Sequence, residues 1–387
     1  MIEREIDSLD KLTKALMITI AVLVTIGLIM VLSSSYIFAK DNFGNSYYFF
    51  LKQLVYLSVS LIGAAIVAKT KFSFWLKYAP FFAAAVGFLI VLTFVPQFGS
   101  TAKGASRWLT LWGSRLQPGE FFKVTCLLCG IDLFENYGKY SPKQLASRVL
   151  VLLIPLLFIV KQPDFGTFII CFLTLSLICY LSSFPRKWFY PALGIGIVSV
   201  LILLFAQPYR VKRLMTFMDP WKNPQTSGFQ IIQSYLAFAH GSITGAGLGN
   251  SNEKLFYLPE AHNDFIFSVV GEELGFLGVI STVFLFMFFI VIGLKIGARA
   301  KSKLTYLTIV SIVSLIGVQA LLNMSVVLGI IPTKGLNLPL ISSGGSSLLT
   351  NFWAIGILFS CIKYENKRLH ELNQFQSTNN NPFFLQS

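Results

Sequence analysis

Charge is scarce in this sequence. Charged residues make up 12% of its 387 residues, whereas hydrophobic residues make up 55%. A soluble domain cannot bury that much apolar surface, but a chain that is dissolved in lipid does not need to. The composition therefore excludes a soluble globular protein and predicts an integral membrane protein.

Acidic residues are scarcer than basic ones, so the net charge is +14. In a soluble protein this charge would indicate a nucleic-acid partner. Here the Lys and Arg residues are spread over short loops instead of forming an arm or a patch, and the positive-inside rule accounts for most of them. We therefore expect membrane lipid, and no nucleic acid, as a partner.

Metal-binding residues are also few. The chain has only three His, and its five Cys all lie within apolar runs. Cys126 and Cys129 have C-x-x-C spacing, but they lie inside a predicted helix with no His or second Cys pair nearby. This pattern argues against zinc or redox chemistry, and no metal site is predicted.

Long apolar runs, by contrast, are abundant. A membrane-spanning helix needs about 20 apolar residues, and ten segments meet or approach that length. They predict an all-α integral membrane protein with ten transmembrane helices. The segments are 15–35, 47–68, 74–95, 119–135, 148–162, 165–183, 188–206, 264–294, 304–331 and 345–362.

The distribution of Lys and Arg orients these spans. Most basic residues fall on the inner side if residues 1–14 form a cytoplasmic segment and both termini are cytoplasmic. Residues 15–363 then form the ten-span domain, with a large outer loop, 207–263, between spans seven and eight. The tail 364–387 is polar and rich in Asn and Gln, so it is predicted to be disordered.

Three polar, Gly-rich segments fall on the outer side: 104–123, 207–263 and 332–347. Their common side predicts a single outward-facing site. In the first segment, Arg107 and Lys123 flank a Trp-rich stretch. They could be snorkelling cations in an interfacial aromatic belt, or they could bind phosphate.

Carboxylates cluster at the start of the eighth span, where Asp264 re-enters the membrane. Asp264 could cap the helix, but Gly271 and Gly275 fall on the same helical face, where another helix or a substrate can approach closely. Glu272 lies about 12 Å deeper and would be costly in lipid unless it is paired. The expected partner is Lys123, which lies inside a neighbouring span, with Lys52 as the alternative.

Two Gly-rich runs have the composition of phosphate-binding loops, GAGLG at 245–249 and SSGGSS at 342–347. A dinucleotide site needs a strand before the glycines and a helix after them. An outer loop offers no such unit, so nucleotide binding is excluded. The backbone N–H groups of either run could still cradle a phosphate, or the second run could be a plain linker.

Six ordered motifs resemble those of the SEDS family, the shape, elongation, division and sporulation proteins that include FtsW, RodA and SpoVE. The resemblance covers about residues 15–365. LPEAH and PTKGLNLP are closer to the division branch, FtsW, than to the elongation branch. The motifs are GASRWL–QPGE–K at 104–123, DPW at 219–221, GFQ at 228–230, GAGLG at 245–249, LPEAHNDFIF–GEELG at 258–275 and NMSVVLGIIPTKGLNLPLISSGGSS at 323–347.

The resemblance implies a peptidoglycan glycosyltransferase. Such an enzyme polymerises lipid II into glycan strands on the outer face of the bacterial cytoplasmic membrane, here at the division septum. The implied partners are lipid II, a class B penicillin-binding protein that supplies the transpeptidase, and other division proteins.

The resemblance also implies roles for residues. The family's proposed catalytic carboxylate corresponds to Asp264, which would deprotonate the acceptor hydroxyl. Arg107, Lys123 and Lys334 would bind the pyrophosphate, and a divalent cation could share this work. Other residues of the matching segments are assigned to substrate binding (Glu260, His262, Ser342, Gly344 and Gly345) or to support of the site (Glu120, Glu272 and Pro259).

Three other functions remain open at this stage: a flippase or transporter for the lipid-linked precursor, a RodA-like elongation polymerase, and a non-catalytic division scaffold. Transporters usually show internal repeats and polar sites near the bilayer midplane. This sequence shows no repeat, and most of its unusual residues cluster on the outer side. A scaffold would not need acidic residues as costly as Asp264 and Glu272.

Overall fold

The computed structural model describes residues 2–102, 105–111, 114–251 and 261–379. Most of these residues are helical. The helices are α1 Ile2–Phe43, α2 Tyr48–Lys69, α3 Phe72–Lys77, α4 Ala79–Leu92, α5 Pro118–Glu135, α6 Pro142–Lys161, α7 Phe165–Leu181, α8 Arg186–Phe205, α9 Pro208–Met218, α10 Phe229–Gly241, α11 Ile266–Ala298, α12 Lys303–Val327 and α13 Gly345–Asn379. The strands are β1 Gly99–Ala102, β2 Ala105–Leu111 and β3 Ser114–Leu116.

The helices match the predicted spans. Each predicted span coincides with one helix, except that 74–95 corresponds to the pair α3 and α4. Seven of the described helices, α1, α2, α6, α8, α11, α12 and α13, are long and apolar enough to cross a membrane. The protein is therefore a multi-pass, mostly helical membrane protein, while the count of ten spans stays a prediction.

α5 is the central helix of the bundle. Fifteen of its 18 residues are buried, and they include Glu120, Lys123 and Asp132. Asp132 pairs with Arg148 of α6 at 2.9 Å. Because α5 is surrounded by protein and its charges are paired, it can be short and polar and still lie inside the bundle.

The first and last described helices meet at one end of the bundle. Lys301, between α11 and α12, donates from Nζ to Glu5 at 3.2 Å and from its backbone N–H to Glu365 at 2.5 Å. Asn366 of α13 donates to Asp10 of α1 at 2.8 Å. These contacts place both helix ends on the same side, as the predicted topology requires.

The predicted disorder of the tail is wrong for residues 364–379, which continue α13. Leu369 is 2% exposed, and Glu365 is equally buried where it accepts from Lys301. Residues 364–379 continue the helix because Glu365 and Leu369 pack onto the bundle, although the composition of the tail resembles that of disordered segments.

The segment 207–263 is more than an outer loop. It contains α9 and α10, and α10 runs beside the first turns of α11, where Ser234 and Ser268 share a hydrogen bond of 2.6 Å.

After α10 the chain turns back, and the N–H groups of Ala246 and Gly247 donate to the carbonyls of Glu272 and Glu273 at 2.9 and 3.1 Å. α10 and this returning segment form a hairpin, residues 229–251, packed against α11.

α11 is interrupted where it meets this hairpin. Gly275 has φ 65° and ψ −164°, a conformation that only glycine adopts readily. The carbonyls of Ser242 and Ile243 accept from the N–H groups of Phe276 and Leu277, at 2.9 and 3.3 Å. The hairpin therefore satisfies the backbone groups that the interruption releases, as is required within a membrane.

Two predictions for these segments need correction. GAGLG does not form a free phosphate cradle, because Ala246 and Gly247 donate to α11. The fold is also not purely helical, because β1, β2 and β3 form an antiparallel sheet in that order. This sheet carries Arg107 on its central strand and leads directly into α5.

Candidate active site

Asp264 lies in the turn that precedes α11 and is half-buried. The N-cap of α11 is Phe265, so the alternative that Asp264 caps the helix is wrong. A neighbouring helix holds the turn, because Asn323 of α12 donates to the backbone carbonyl of Asp264 at 2.8 Å. Asp264 is thus held by its backbone next to α12.

Residues from the SSGGSS run hold the same turn. Ser342 donates from Oγ to the carbonyl of Asn263 at 2.7 Å, and the N–H of Ser343 donates to the carbonyl of His262 at 2.9 Å. The imidazole of His262 lies near the rings of Phe38 and Phe49, with centroid distances of 5.7 and 4.5 Å. The run is therefore an ordered support of the Asp264 turn rather than a plain linker.

The two glycines of this run permit close packing. A Cβ at Gly344 would lie 2.2 Å from Nδ2 of Asn337, and a Cβ at Gly345 would lie 2.5 Å from the ring of Tyr56. The structure thus gives Gly344 and Gly345 a packing role. Pro259 and Glu260, the two remaining motif residues, lie outside the described residues.

A cavity of about 310 Å³ adjoins Asp264. Gly335 connects the two: it lines the cavity, and a methyl group on it would lie 3.0 Å from Oδ2 of Asp264. The cavity lies among α7, α8, α9 and the segment 332–335. Asp264 is therefore beside a partly open cavity that a ligand can occupy.

Four cations among the residues that the structure describes line this cavity: Arg107, Arg210, Arg213 and Lys334. Arg213 donates to the carbonyl of Thr333 at 3.3 Å. Its pKa is lowered by partial removal from water and by the neighbouring charge of Arg107, while Tyr209 and Asp264 act in the opposite direction. Partial burial also lowers the pKa of Lys334. Cations held together in this way favour binding of a multivalent anion.

Arg107 also ties β2 to the turn between α6 and α7. It donates to the carbonyls of Gln162 and Pro163, at 3.2 and 2.5 Å, and its Nη1 lies 4.0 Å from Asp164. The prediction that Arg107 faces the site is consistent with its place in the cavity lining. Part of its guanidinium, however, is already used to hold the protein together.

Lys123 is placed differently from the sequence-based expectation. It is 2% exposed, pairs with Glu120 at 2.8 Å and donates to Gln319 at 2.6 Å. It is not among the described residues that line the cavity. Glu120, one turn away on the same helix, is the carboxylate that pairs with Lys123. Lys123 therefore supports the interior rather than the cavity wall.

The expected pair of Glu272 with Lys123 is wrong. Glu272 is fully buried and accepts from Ser251, and one of its carboxylate oxygens lies 3.9 Å from Nδ1 of His240. Both partners belong to the hairpin 229–251. Glu272 therefore joins the hairpin to α11, and its supporting role in the site stays a prediction.

Three charged residues of the cavity lining were missed in the sequence: Asp164, Arg210 and Arg213. Arg210 is 5% exposed, donates to the carbonyl of Leu203 at 2.5 Å and stacks 4.8 Å from the centroid of Phe165. The available signal was the spacing of Arg210 and Arg213, which places both on one face of a helix. Asp164 was inconspicuous because it directly precedes an apolar span.

A divalent cation finds no preformed site in the described part of the chain. Over those residues, no three His, Cys, Asp or Glu side chains lie together as metal ligands would. The charges around the cavity are mostly positive, and Asp164 is held by Thr167 and Gln117 at 3.0 and 3.2 Å. We therefore derive no step that uses a metal.

The fold and the site define a multi-pass membrane protein with a carboxylate beside a cation-lined cavity. A family model described as "Cell cycle protein", which covers FtsW, RodA and SpoVE, matches residues 14–367. The chain belongs to this family.

Curated relatives agree. The "Probable peptidoglycan glycosyltransferase FtsW" of Geobacter sulfurreducens is 34% identical over 362 residues, which cover 92% of this chain and 96% of the relative. The protein with the same name from Escherichia coli O6:H1 is 36% identical over 375 residues, covering 94% and 89%. These matches confirm the predicted family and the predicted enzyme class, peptidoglycan glycosyltransferase.

Solved structures share the fold. A chain from a study of structural coordination of polymerization and crosslinking by a peptidoglycan synthase complex has a TM-score of 0.72 at 23% identity, covering 90% of this chain and 97% of that one. The Thermus thermophilus rod shape determining protein RodA has a TM-score of 0.65 at 21% identity, covering 90% and 96%. At these identities the likeness concerns the fold alone.

Proposed function

We propose that this protein polymerises lipid II into glycan strands on the outer face of the cytoplasmic membrane during septal wall synthesis. The observation that carries the proposal is the position of Asp264 beside a cavity lined by four cations. A carboxylate can accept a proton, and a cation cluster can stabilise a departing pyrophosphate. The division role is supported by the FtsW names of the curated relatives.

The reaction assigns one task to each part of the site. A hydroxyl of the acceptor sugar attacks the donor sugar carbon that carries the pyrophosphate, and its proton passes to Asp264. The new glycosidic bond forms as the bond between that carbon and the phosphate oxygen breaks. The electron pair leaves with the pyrophosphate, whose charge Arg213 and Lys334 stabilise, together with Arg107.

The apolar part of the cavity fits the lipid portion of this substrate. Ile169 of α7, Val200 and Leu204 of α8, and Leu214 of α9 line the cavity beside the cations. α8 is the least buried of the seven candidate spans. A polyprenyl chain can therefore lie along α8 while its pyrophosphate meets the cations.

The transporter alternative is less well supported. A carrier places its substrate near the bilayer midplane, between repeats that move against each other. Here the cavity lies at the ends of α7 and α8 nearest to Asp264, next to the helix α9 that follows α8. A scaffold without catalysis would not need four cations around one cavity.

The proposal is tested with purified protein in liposomes that contain labelled lipid II, with and without a class B penicillin-binding protein. We expect glycan strands in the presence of the partner. Transfer of lipid II between leaflets without strand formation would support the transporter instead. Absence of both activities with the partner present would support the scaffold.

Gly335→Ala should lower turnover about 10- to 100-fold, because small displacements of a reacting group have effects of that size. The added methyl group would lie 3.0 Å from Oδ2 of Asp264 and would displace the carboxylate. Gly138→Ala is the matched control, because a Cβ at Gly138 meets nothing within 4 Å. Equal turnover of both variants would show that Asp264 does not need its present position.

Binding of lipid II should weaken at alkaline pH. Partial burial lowers the pKa of Lys334, so this lysine loses its charge earlier than a free lysine as the pH rises. Lys334→Arg keeps its charge, so its affinity should stay nearly constant as the pH rises toward the ordinary pKa of lysine, about 10.4, whereas the wild-type affinity falls. Affinity measured by fluorescence titration checks this, and the same decline in both proteins would assign it to another group.

A further inference from the structure

Asn323 connects the two segments that form the corner around Asp264. Its side-chain NH₂ group donates to the backbone carbonyl of Asp264 at 2.8 Å and to the carbonyl of Leu336 at 2.5 Å. Leu336 directly follows Lys334 and Gly335, which line the cavity. One amide therefore sets the distance between the Asp264 turn and the segment 334–336, which carries Lys334.

The orientation of this amide follows from its partners. Both are carbonyls, so only the NH₂ group can face them. Within the described part of the chain, Oδ1 of Asn323 then has no hydrogen-bond partner, in a residue that is 1% exposed. An unpaired buried carbonyl is unfavourable, and simple helix packing would be served better by an apolar side chain. The amide is therefore retained for the two bonds that its NH₂ group donates.

The next turn of α12 holds the same segment. Gln319 donates to the carbonyl of Asn337 at 3.1 Å, and its own Oε1 accepts from Lys123 at 2.6 Å. Lys123 in turn is paired with Glu120. Two amides at positions i and i+4 thus hold two consecutive carbonyls, and the buried ion pair orients the first amide. This arrangement clamps residues 336 and 337 to α12.

We propose that Asn323 is a positioning residue that holds the carboxylate of Asp264 against the cationic wall of the cavity. It acts through the two backbone carbonyls and does not contact substrate. Loss of the N–H donors of Asn323 should increase the distance between Asp264 and the cations of the cavity wall, while Asp264 and the cations themselves are unchanged. The inference rests on the proposed function, because the role of Asp264 does.

The test compares Asn323→Leu, which has similar size and no donor, with Thr308→Val. Thr308 is also buried in α12, and its hydroxyl bonds only to Leu304 of the same helix among the contacts that the structure gives. We expect Asn323→Leu to lower kcat for lipid II polymerisation about 10- to 100-fold with KM changed less than about threefold. Thr308→Val should change neither. An unchanged kcat, or a rise in KM as large as the fall in kcat, would overturn the proposal.

A second readout is independent of activity. Hydrogen exchange of the full-length protein in detergent should become faster at residues 261–266 and 333–338 in Asn323→Leu, but not in Thr308→Val. Unchanged exchange in both segments would overturn the clamp even if turnover fell. If Asn323→Leu does not fold, Asn323→Ala is measured in the same way. The two claims can fail separately. If exchange becomes faster in both segments of Asn323→Leu but the wild-type protein makes no glycan, the clamp is supported and the proposed function is rejected.

Discussion

Asp264→Asn should lower glycan synthesis about 10²- to 10⁴-fold, which is the usual contribution of a general base. The amide has nearly the same shape as the carboxylate but cannot accept the proton of the acceptor hydroxyl. The backbone of residue 264 keeps its bond from Asn323, so the turn should remain in place. Affinity for lipid II should therefore change little while turnover is lost.

The control for this prediction is Asp10→Asn. Asp10 lies at the other end of the bundle, where it accepts from Asn366. The variant makes the same chemical change and should retain full turnover. Turnover of Asp264→Asn within about twofold of the wild type would remove Asp264 from the chemistry.

Arg213→Ala should weaken lipid II binding about 10- to 100-fold, because a hydrogen bond to a charged group contributes about 1.5–3 kcal/mol. The side chain lines the cavity, and partial burial together with the nearby charge of Arg107 lowers its pKa. A bound pyrophosphate would relieve this repulsion. Arg213→Lys should recover only part of the affinity, because a single ammonium cannot reproduce a bidentate contact.

Lys212→Ala is the control for Arg213. Lys212 is an exposed neighbour on α9 outside the cavity lining, so its loss should leave binding unchanged. Arg107→Ala is less informative, because Arg107 also holds Gln162 and Pro163. Equal affinity of the wild type and Arg213→Ala would exclude Arg213 from pyrophosphate binding.

The apolar runs predicted the membrane helices well, because spanning a bilayer imposes a length and a composition that are visible locally. The helix α10 was missed for the same reason. Phe229–Gly241 has 13 residues, which is too short for a span, and nothing local shows that it packs against α11. The interruption at Gly275 needs the hairpin as a partner, so it could not be predicted from α11 alone.

The site was predicted in part, and the errors concern partners rather than residue types. Asp264 and Lys334 were identified through the family motifs. Lys334 lines the cavity, and Asp264 lies next to Gly335, which also lines it, while the roles of both stay predictions. Lys123 was expected to reach the substrate or Glu272, but it meets Glu120 and Gln319 instead. Which buried charges pair depends on how helices rotate and pack, and a single sequence does not contain that information.

The glycan product of the reconstituted protein tests the central claim most directly. Liposomes with labelled lipid II would contain a class B penicillin-binding protein and either the wild type or Asp264→Asn, and products would be separated by length before and after muramidase digestion. We expect a digestible ladder of glycan strands from the wild type, with one polyprenyl pyrophosphate released for each bond, and no ladder from the variant. The same ladder from both proteins, or none from the wild type, would contradict the account.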